Sequence, residues 1–146
     1  MHWQRTFLHP SLLAFDAPTR EECTAERVIS NTPQQALVLL NDPVFVEAAR
    51  VFSERIQRQG GADFNSRLDF AFSIALQRKP ARAERQVFEK LYQKHLELYR
   101  KDPDGARALV STGDWPLADG LPLEVHAAWT SLARVVLNLH ETLVRY

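Results

Sequence analysis

The sequence predicts an all-α protein, an irregular bundle of about five to seven helices behind a proline-broken N-terminal segment. Apolar residues recur at helical spacing through most of the chain after residue 32, and capping residues mark several helix starts. No stretch alternates apolar and polar residues for long enough to form a strand. A chain of 146 residues fits one domain, which we divide into an irregular covering segment, 1–32, and a helical bundle, 33–146.

The covering segment is predicted to be mostly irregular. Pro10 and Pro18 interrupt short apolar groups, so we expect the chain up to Pro18 to be extended or looping. Thr19 and Glu22 match a capping box, in which a hydroxyl and a carboxylate satisfy free N–H groups at a helix start. This pattern predicts a short helical turn over about 20–29.

Two capping side chains directly precede prolines, in Asn31-Thr32-Pro33 and Asn41-Asp42-Pro43, and predict consecutive helix starts. The first helix, 33–40, is apolar, and we expect it to be buried on most sides. The second runs from Pro43 to about Gln59, where two glycines end it. Its predicted core face is Phe45, Ala48, Ala49, Phe52 and Ile56, and its predicted outer face is Glu47, Arg50, Glu54 and Arg58.

Further helices are predicted over 64–78, 82–101 and 105–111. The predicted buried side of the helix over 82–101 consists of Val87, Phe88, Leu91, Tyr92, His95, Leu98 and Tyr99. A last helix after Pro122 carries a near-heptad series, namely Val125, Trp129, Leu132, Val136, Leu139 and Leu143. Such a long apolar seam suits packing against other helices and offers a possible surface for self-association.

Charge and cysteine content argue against several classes of protein. Eighteen basic and eighteen acidic residues cancel, which leaves no net attraction to nucleic acid or to an anionic membrane surface. The single cysteine, Cys23, excludes an intramolecular disulfide framework and a paired-cysteine zinc site. No apolar run approaches the roughly 18 residues of a membrane span, and the first residues lack a signal-peptide core. On the sequence as written, we therefore expect neither membrane insertion nor export.

No metal-binding or nucleotide-binding motif is present, so we assign no cofactor and no metal to this chain. His95 is expected to be a hydrogen-bonded core residue. His126 and His140 are expected to share a helix face without reaching one another. The carboxylates and arginines around Cys23 fit a turn, a cap and surface ion pairs better than an activated thiol.

Several segments resemble one known family. The longest runs from Phe15-Asp16-Ala17-Pro18 through Arg20, Glu21, Cys23 and Thr24 to Asn31-Thr32-Pro33-Gln34-Gln35-Ala36-Leu37-Val38-Leu39-Leu40-Asn41-Asp42-Pro43. It is similar to the C-terminal portion of the planctomycete cytochrome c-associated family, catalogued as domain of unknown function 1553. Val46-Glu47-Ala48-Ala49-Arg50, Leu76-Gln77-Arg78-Lys79-Pro80 and the ending from Trp129 to Arg145 follow the same pattern. Two positions depart from it, because His140 stands where an aspartate is expected and Ala81 where a better helix cap is usual.

The resemblance implies a place in a larger protein. Such domains are expected at the end of large exported multidomain proteins that also carry a haem-bearing cytochrome c-like domain or another helical domain. The resemblance therefore implies a periplasmic or other extracytoplasmic location. It also implies that the chain is the C-terminal fragment of a larger family-type domain. It supplies no catalytic residues.

Two functions remain open at this point. The leading hypothesis is a non-catalytic helical scaffold or interaction module, whose partners are upstream domains of a parent protein or a second copy of itself. The alternative is a part of an enzyme or an electron-transfer accessory, with a site formed by Asp16, Arg20, Arg27 and Asn41 together with a missing upstream half. A cleft that gathers these four side chains would favour the alternative.

Overall fold

The computed structural model describes residues 14–17 and 32–143, and these contain helices and no strand. The all-α prediction is confirmed. The helices of this part of the chain are α1 (Pro33–Asn41), α2 (Pro43–Gln59), α3 (Phe64–Leu76), α4 (Arg82–Lys101), α5 (Pro103–Val110), α6 (Leu123–Leu137) and α7 (His140–Leu143). The helical turn predicted over 20–29 lies outside the described residues, and the division at residue 32 stays a prediction.

The predicted starts of α1 and α2 are confirmed in atomic detail. At α1, the Thr32 hydroxyl accepts a hydrogen bond from the Gln35 N–H at 3.3 Å, and the Gln35 side-chain oxygen accepts one from the Thr32 N–H at 3.2 Å. At α2, the Asp42 carboxylate accepts from the Val44 N–H at 3.0 Å. These bonds satisfy N–H groups that have no partner within the helix, which explains why the boundaries follow from local sequence.

Helix α6 lies at the centre of the bundle and packs against α2, α4 and α5. Nine of its 15 residues are buried, so it is covered on nearly all sides. The Trp129 ring lies 5.5 Å from the ring of Phe64 and 5.4 Å from that of Tyr92. A second, smaller cluster joins Ala127 to Ala106 and Val110 of α5. Half of the near-heptad apolar series that was predicted to offer a surface for self-association is buried inside this chain, namely Trp129, Leu132 and Val136.

Three predicted helix boundaries differ from the structure by a few residues. Helix α3 ends at Leu76 because Gln77 adopts a left-handed conformation with φ of 55°. Helix α5 begins at Pro103 because Asp102 caps it, its carboxylate accepting from the Gly105 N–H at 2.9 Å. The last helix is not continuous to Leu143, since α6 ends at Leu137 and α7 begins at His140. His126 and His140 therefore do not share a helix face.

The burial patterns predicted for α1 and α4 are also wrong. Helix α1 is not buried on most sides, because Leu37 is exposed and only Gln35 and Leu39 are buried. On α4, Val87 and Leu98 are exposed although the periodicity predicts both on the buried side. A helix that meets its neighbours along a narrow strip leaves the margins of its apolar face in water. No described helix is long and apolar enough to cross a membrane.

Candidate functional site

Arg50 lies inside the bundle, not on the outer face of α2 where the sequence pattern predicts it. Its side chain is 1% exposed, and that of Glu54, one turn further along α2, is 11% exposed. The Arg50 Nη1 atom lies 2.8 Å from the Glu54 Oε1 atom. A buried guanidinium requires a counter-ion and hydrogen-bond acceptors, and Glu54 supplies the counter-ion.

The remaining donors of Arg50 bind the loop between α5 and α6. Nε donates to the Thr112 carbonyl at 3.3 Å, Nη2 to the Trp115 carbonyl at 2.6 Å, and Nη1 to the Pro116 carbonyl at 3.3 Å. We call residues 112–117 the clamped loop. The planar guanidinium presents several donors in a fixed arrangement, so one side chain fixes three carbonyls of this loop.

Glu47, one turn before Arg50, also holds this loop. Its carboxylate accepts a hydrogen bond from the Trp115 N–H. Gly113 allows this approach, because a Cβ atom at Gly113 would lie only 2.2 Å from the Glu47 Cδ atom. Gly113 also has φ of 94°, which favours glycine. The clamped loop is thus fixed through its backbone and by α2.

His126, in the first turn of α6, completes the buried cluster. Its Nε2 atom lies 3.8 Å from Glu54 Oε1 and has no hydrogen-bond partner. Burial lowers the pKa of His126, and the charge of Arg50 lowers it further, while a hydrogen bond to the Arg50 backbone opposes both effects. The ring is therefore neutral at neutral pH, and its contact with Glu54 is not an ion pair in that state.

Hydroxyl groups continue the polar contact between α2 and α6. The Ser53 Oγ atom lies 3.0 Å from the Thr130 Oγ1 atom, and both residues are fully buried. The Ser53 Oγ atom also lies 2.8 Å from the Arg50 carbonyl oxygen, and the Thr130 Oγ1 atom lies 2.8 Å from the His126 carbonyl oxygen. Each hydroxyl has one proton, so when one hydroxyl donates to the other, only the second donates to its carbonyl. These contacts fix the register of α2 against α6, and with it the position of Arg50.

The clamped loop presents apolar side chains to solvent. Trp115 is 62% exposed and Leu117 is 53% exposed. The stretch 111–124 contains Asp114, Asp119 and Glu124 and no lysine or arginine. The outer surface of the loop therefore combines an aromatic and an aliphatic side chain with negative charge.

The structure describes two of the four residues of the site predicted from the sequence, Asp16 and Asn41, so that site stays a prediction. The Asp16 carboxylate accepts a hydrogen bond from the Gln35 side chain at 3.5 Å. The Asn41 side chain turns back and donates to the Leu37 carbonyl of its own helix at 2.9 Å. Arg20 and Arg27 lie outside the described residues. No described contact joins Asp16 to Asn41.

Sequence reasoning missed Arg50, Glu54 and His126, although a signal for them was present. Among the buried residues of α2, Val46, Ala49, Ser53 and Ile56 recur at intervals of three and four residues. The predicted face with Phe45 and Ala48 also recurs at helical spacing, but it is rotated away from the face that the structure buries. With Val46 as the reference, Arg50 falls on the buried face.

A second polar cluster lies at the other end of the bundle. Arg78 donates to both oxygens of Glu84, at 2.8 and 2.7 Å, and to both oxygens of Glu141, at 2.8 and 3.0 Å. Hydrogen bonds from Arg78 lower the pKa of each carboxyl, and the two carboxylates raise the pKa of Arg78 far above its usual range. This cluster joins the α3–α4 turn to α7, so its role is structural.

His95 is half-buried and stacks on Tyr99, with ring centroids 5.9 Å apart. Its Nδ1 atom has no hydrogen-bond partner, so the predicted hydrogen-bonded core histidine is not found at that atom. Burial lowers the pKa of His95, and the nearby Lys94 and Arg134 lower it further. Within the described ranges, no group of three or more His, Cys, Asp or Glu side chains is arranged to hold a metal ion.

Comparison with known proteins gives a family and no function. The family model described as "Protein of unknown function (DUF1553)" matches residues 1–92. No curated protein and no solved structure matches the chain. The matched range includes Glu47, Arg50 and Glu54 but not the clamped loop or His126. Because the match covers more than half of its residues, this chain belongs to the DUF1553 family.

Proposed function

We propose that this chain is a helical interaction module without catalytic chemistry of its own, and that the clamped loop is its partner-binding surface. The observation that carries the proposal is the contrast between the two sides of the loop. Its backbone is fixed by the buried Arg50, whereas Trp115 on the same loop is 62% exposed.

Rigidity of the loop supports a role in binding. Protein association costs free energy because side chains and loops become ordered, and a loop that is already fixed avoids part of that cost. Arg50 and Glu47 fix the loop before any partner arrives. Tryptophan is also enriched among residues that dominate binding energy at protein interfaces.

The chemistry of the loop favours one kind of partner. Trp115 and Leu117 fit an apolar pocket, and the acidic Asp114 and Asp119 beside them fit a rim of lysine and arginine side chains. We therefore propose a protein partner with a basic rim around an apolar pocket. Family resemblance suggests where that partner is found, on a neighbouring domain of a larger parent protein such as a haem-bearing domain.

Site-specific photo-crosslinking in native cells tests this function. A photoreactive phenylalanine analogue replaces Leu117, which leaves Trp115 in place, and the matched control places the analogue at Lys90, an exposed position on α4. We expect a discrete adduct from position 117 and none of the same mass from position 90. Excess unmodified chain should compete the adduct away, and excess W115A chain should compete poorly.

Charge variants test the nature of the partner in the same assay. We expect the double variant D114N/D119N to compete more weakly than the unmodified chain, and the adduct yield to fall at higher salt. Adducts of the same mass from positions 117 and 90 would refute the proposed binding surface. Competition by the W115A chain as strong as that by the unmodified chain would also refute it.

A further inference from the structure

One oxygen atom is placed between two potential cations in the buried cluster. Glu54 Oε1 lies 2.8 Å from Arg50 Nη1 and 3.8 Å from His126 Nε2. The His126 side chain is 3% exposed, and its Nε2 atom has no hydrogen-bond partner. Glu54 therefore neutralises Arg50 in the described arrangement and lies within reach of the imidazole ring.

Glu47, the other carboxylate near Arg50 at 3.9 Å, is 25% exposed, so solvent screens its charge, and Glu54 is the buried counter-ion of Arg50. While His126 is neutral, the buried charges of Arg50 and Glu54 cancel, and a proton on His126 would add a second positive charge beside Arg50. An unbalanced buried charge is costly, and the cluster can lower that cost only by rearranging.

Few other charged groups face His126. On α2, Glu47 contacts Arg50 at 3.9 Å and not His126. Helix α5 packs on this end of α6 through Ala106 and Val110, while its charged Asp104 and Arg107 are exposed. The clamped loop faces the cluster with backbone carbonyls.

The remaining helices meet α6 through other residues. On α6 itself, Glu124 lies two positions before His126, and side chains two apart on a helix do not face each other. Helix α4 contributes the Tyr99 hydroxyl, which contacts the Ser131 hydroxyl at 2.8 Å. Helix α3 meets α6 where the Phe64 ring packs against Trp129. Helix α1 meets α6 where the Leu40 carbonyl accepts a hydrogen bond from Arg134. Helix α7 follows the far end of α6, with Glu141 held by Arg78.

We propose that His126 is a proton-sensitive release for the clamped loop. When its ring takes up a proton, the imidazolium competes with Arg50 for Glu54 and repels the guanidinium, which weakens the three hydrogen bonds from Arg50 to the loop. Acidification thereby loosens the surface that carries Trp115. The regulatory meaning of this release rests on the proposed function, but the release itself is a property of the isolated chain.

The electrostatic surroundings of the ring set the direction of the effect. Burial and the charge of Arg50 lower the pKa of His126, so the ring is neutral and the loop is clamped at neutral pH. The His126 ring therefore takes up a proton only at a pH below the ordinary histidine pKa of 6.5. Loosening is therefore expected on the acidic side and not on the basic side.

Amide hydrogen exchange of the full chain at pH 7.5 and 5.0, corrected for intrinsic rates, tests the proposal. We expect the amides of residues 112–117 to exchange faster at pH 5.0 than at pH 7.5. Because the His126 ring takes up one proton, the exchange rate should rise by at most about tenfold for each unit by which the pH falls. Amides in the middle of α3, which contains no histidine, serve as the internal reference for unfolding of the whole bundle. In H126Q the loop amides should lose this pH response, and in the matched control H95Q they should keep it.

A direct readout protects the test against a variant that fails to fold. The ring resonances of His126 in the wild-type chain should titrate with the same midpoint as the loop exchange. Loop exchange that does not change with pH, or that changes equally in H126Q, would overturn the proposal. If the release is observed but no adduct forms at position 117, then the binding function fails and the release stands. If an adduct forms but the loop is insensitive to pH, then the release fails and the binding function stands.

Discussion

The Nη2 atom of Arg50 donates a hydrogen bond of 2.6 Å to the carbonyl oxygen of Trp115. One of these side chains is fully buried and the other is largely exposed, so this bond connects the interior of the bundle to its surface. Changes inside the bundle are thus expected to alter the loop that presents Trp115.

Replacing Arg50 by methionine should destabilise the protein strongly. The substitution keeps much of the side-chain volume but leaves Glu54 buried without its counter-ion, and it removes the donor to three loop carbonyls. Loss of one partner from a buried ion pair costs about 3–5 kcal/mol. Urea unfolding of R50M should show a decrease of this size in the free energy of unfolding. The exposed Arg58 on the same helix provides the control, and R58M should change the free energy of unfolding by no more than about 0.5 kcal/mol. Comparable losses for the two variants would contradict the buried role of Arg50.

Alanine at Gly113 should cost more stability than alanine at Gly120. Both glycines have positive φ, so each substitution incurs backbone strain of about 1–2 kcal/mol. Only at Gly113 would the new Cβ collide with Glu47, whereas nothing lies within 4 Å at Gly120. Displacing Glu47 removes its hydrogen bond to the Trp115 N–H, which adds about 1 kcal/mol. Urea unfolding of the two variants measures this difference, and equal values would show that Glu47 moves without loss.

The free energy of unfolding should fall as the pH drops from about 6.5 toward 5. Burial lowers the pKa of both His95 and His126 in the folded protein below the ordinary value of 6.5. The unfolded chain therefore binds protons first as the pH falls, which favours unfolding, and the stabilisation is fully present only above pH 6.5. Urea unfolding at several pH values should give a shallower fall for H95Q and for H126Q than for the wild type. A wild-type slope retained in both variants would assign the pH dependence to other groups.

Serine at Ala81 should stabilise the protein. Ala81 is the N-cap of α4 and has extended backbone angles, but it has no oxygen that could accept a hydrogen bond from the first turn. Its own N–H already donates to the Glu84 carboxylate at 2.6 Å, so a hydroxyl would complete the capping box. A gain of about 1 kcal/mol is expected in thermal or urea unfolding. Serine at Ala83, inside the helix, should give no gain, and an equal gain there would contradict the capping explanation.

Lysine at Arg78 should loosen α7 selectively. Arg78 binds Glu84 and Glu141 with two hydrogen bonds each, and an ammonium group cannot reproduce that planar, paired geometry. Amide exchange should therefore become faster at residues 141–143 and remain unchanged in the middle of α4. R82K, at an exposed arginine on α4, should leave α7 unchanged. Protection of α7 that persists in R78K would show that apolar contacts hold it.

Local sequence was sufficient to locate most helices. The starts of α1, α2 and α3 follow from Thr32, Asp42 and Asp63, because each cap bonds to a backbone N–H within three residues of itself. The same locality explains the errors at helix ends. The end of α3 depends on Gln77 adopting a left-handed conformation, and glutamine does not signal that conformation in the way glycine does.

Sequence alone determined the helical class, the capped starts of α1, α2 and α3, and the family. Only the tertiary structure decided that Arg50 is buried, that α6 is the central helix and that Trp115 is presented on a fixed loop. The physical reason is the range of the interactions. A cap is closed by neighbours in sequence, whereas Arg50 is held by carbonyls 62 to 66 positions away, and periodicity does not show which partner will cover a helix face.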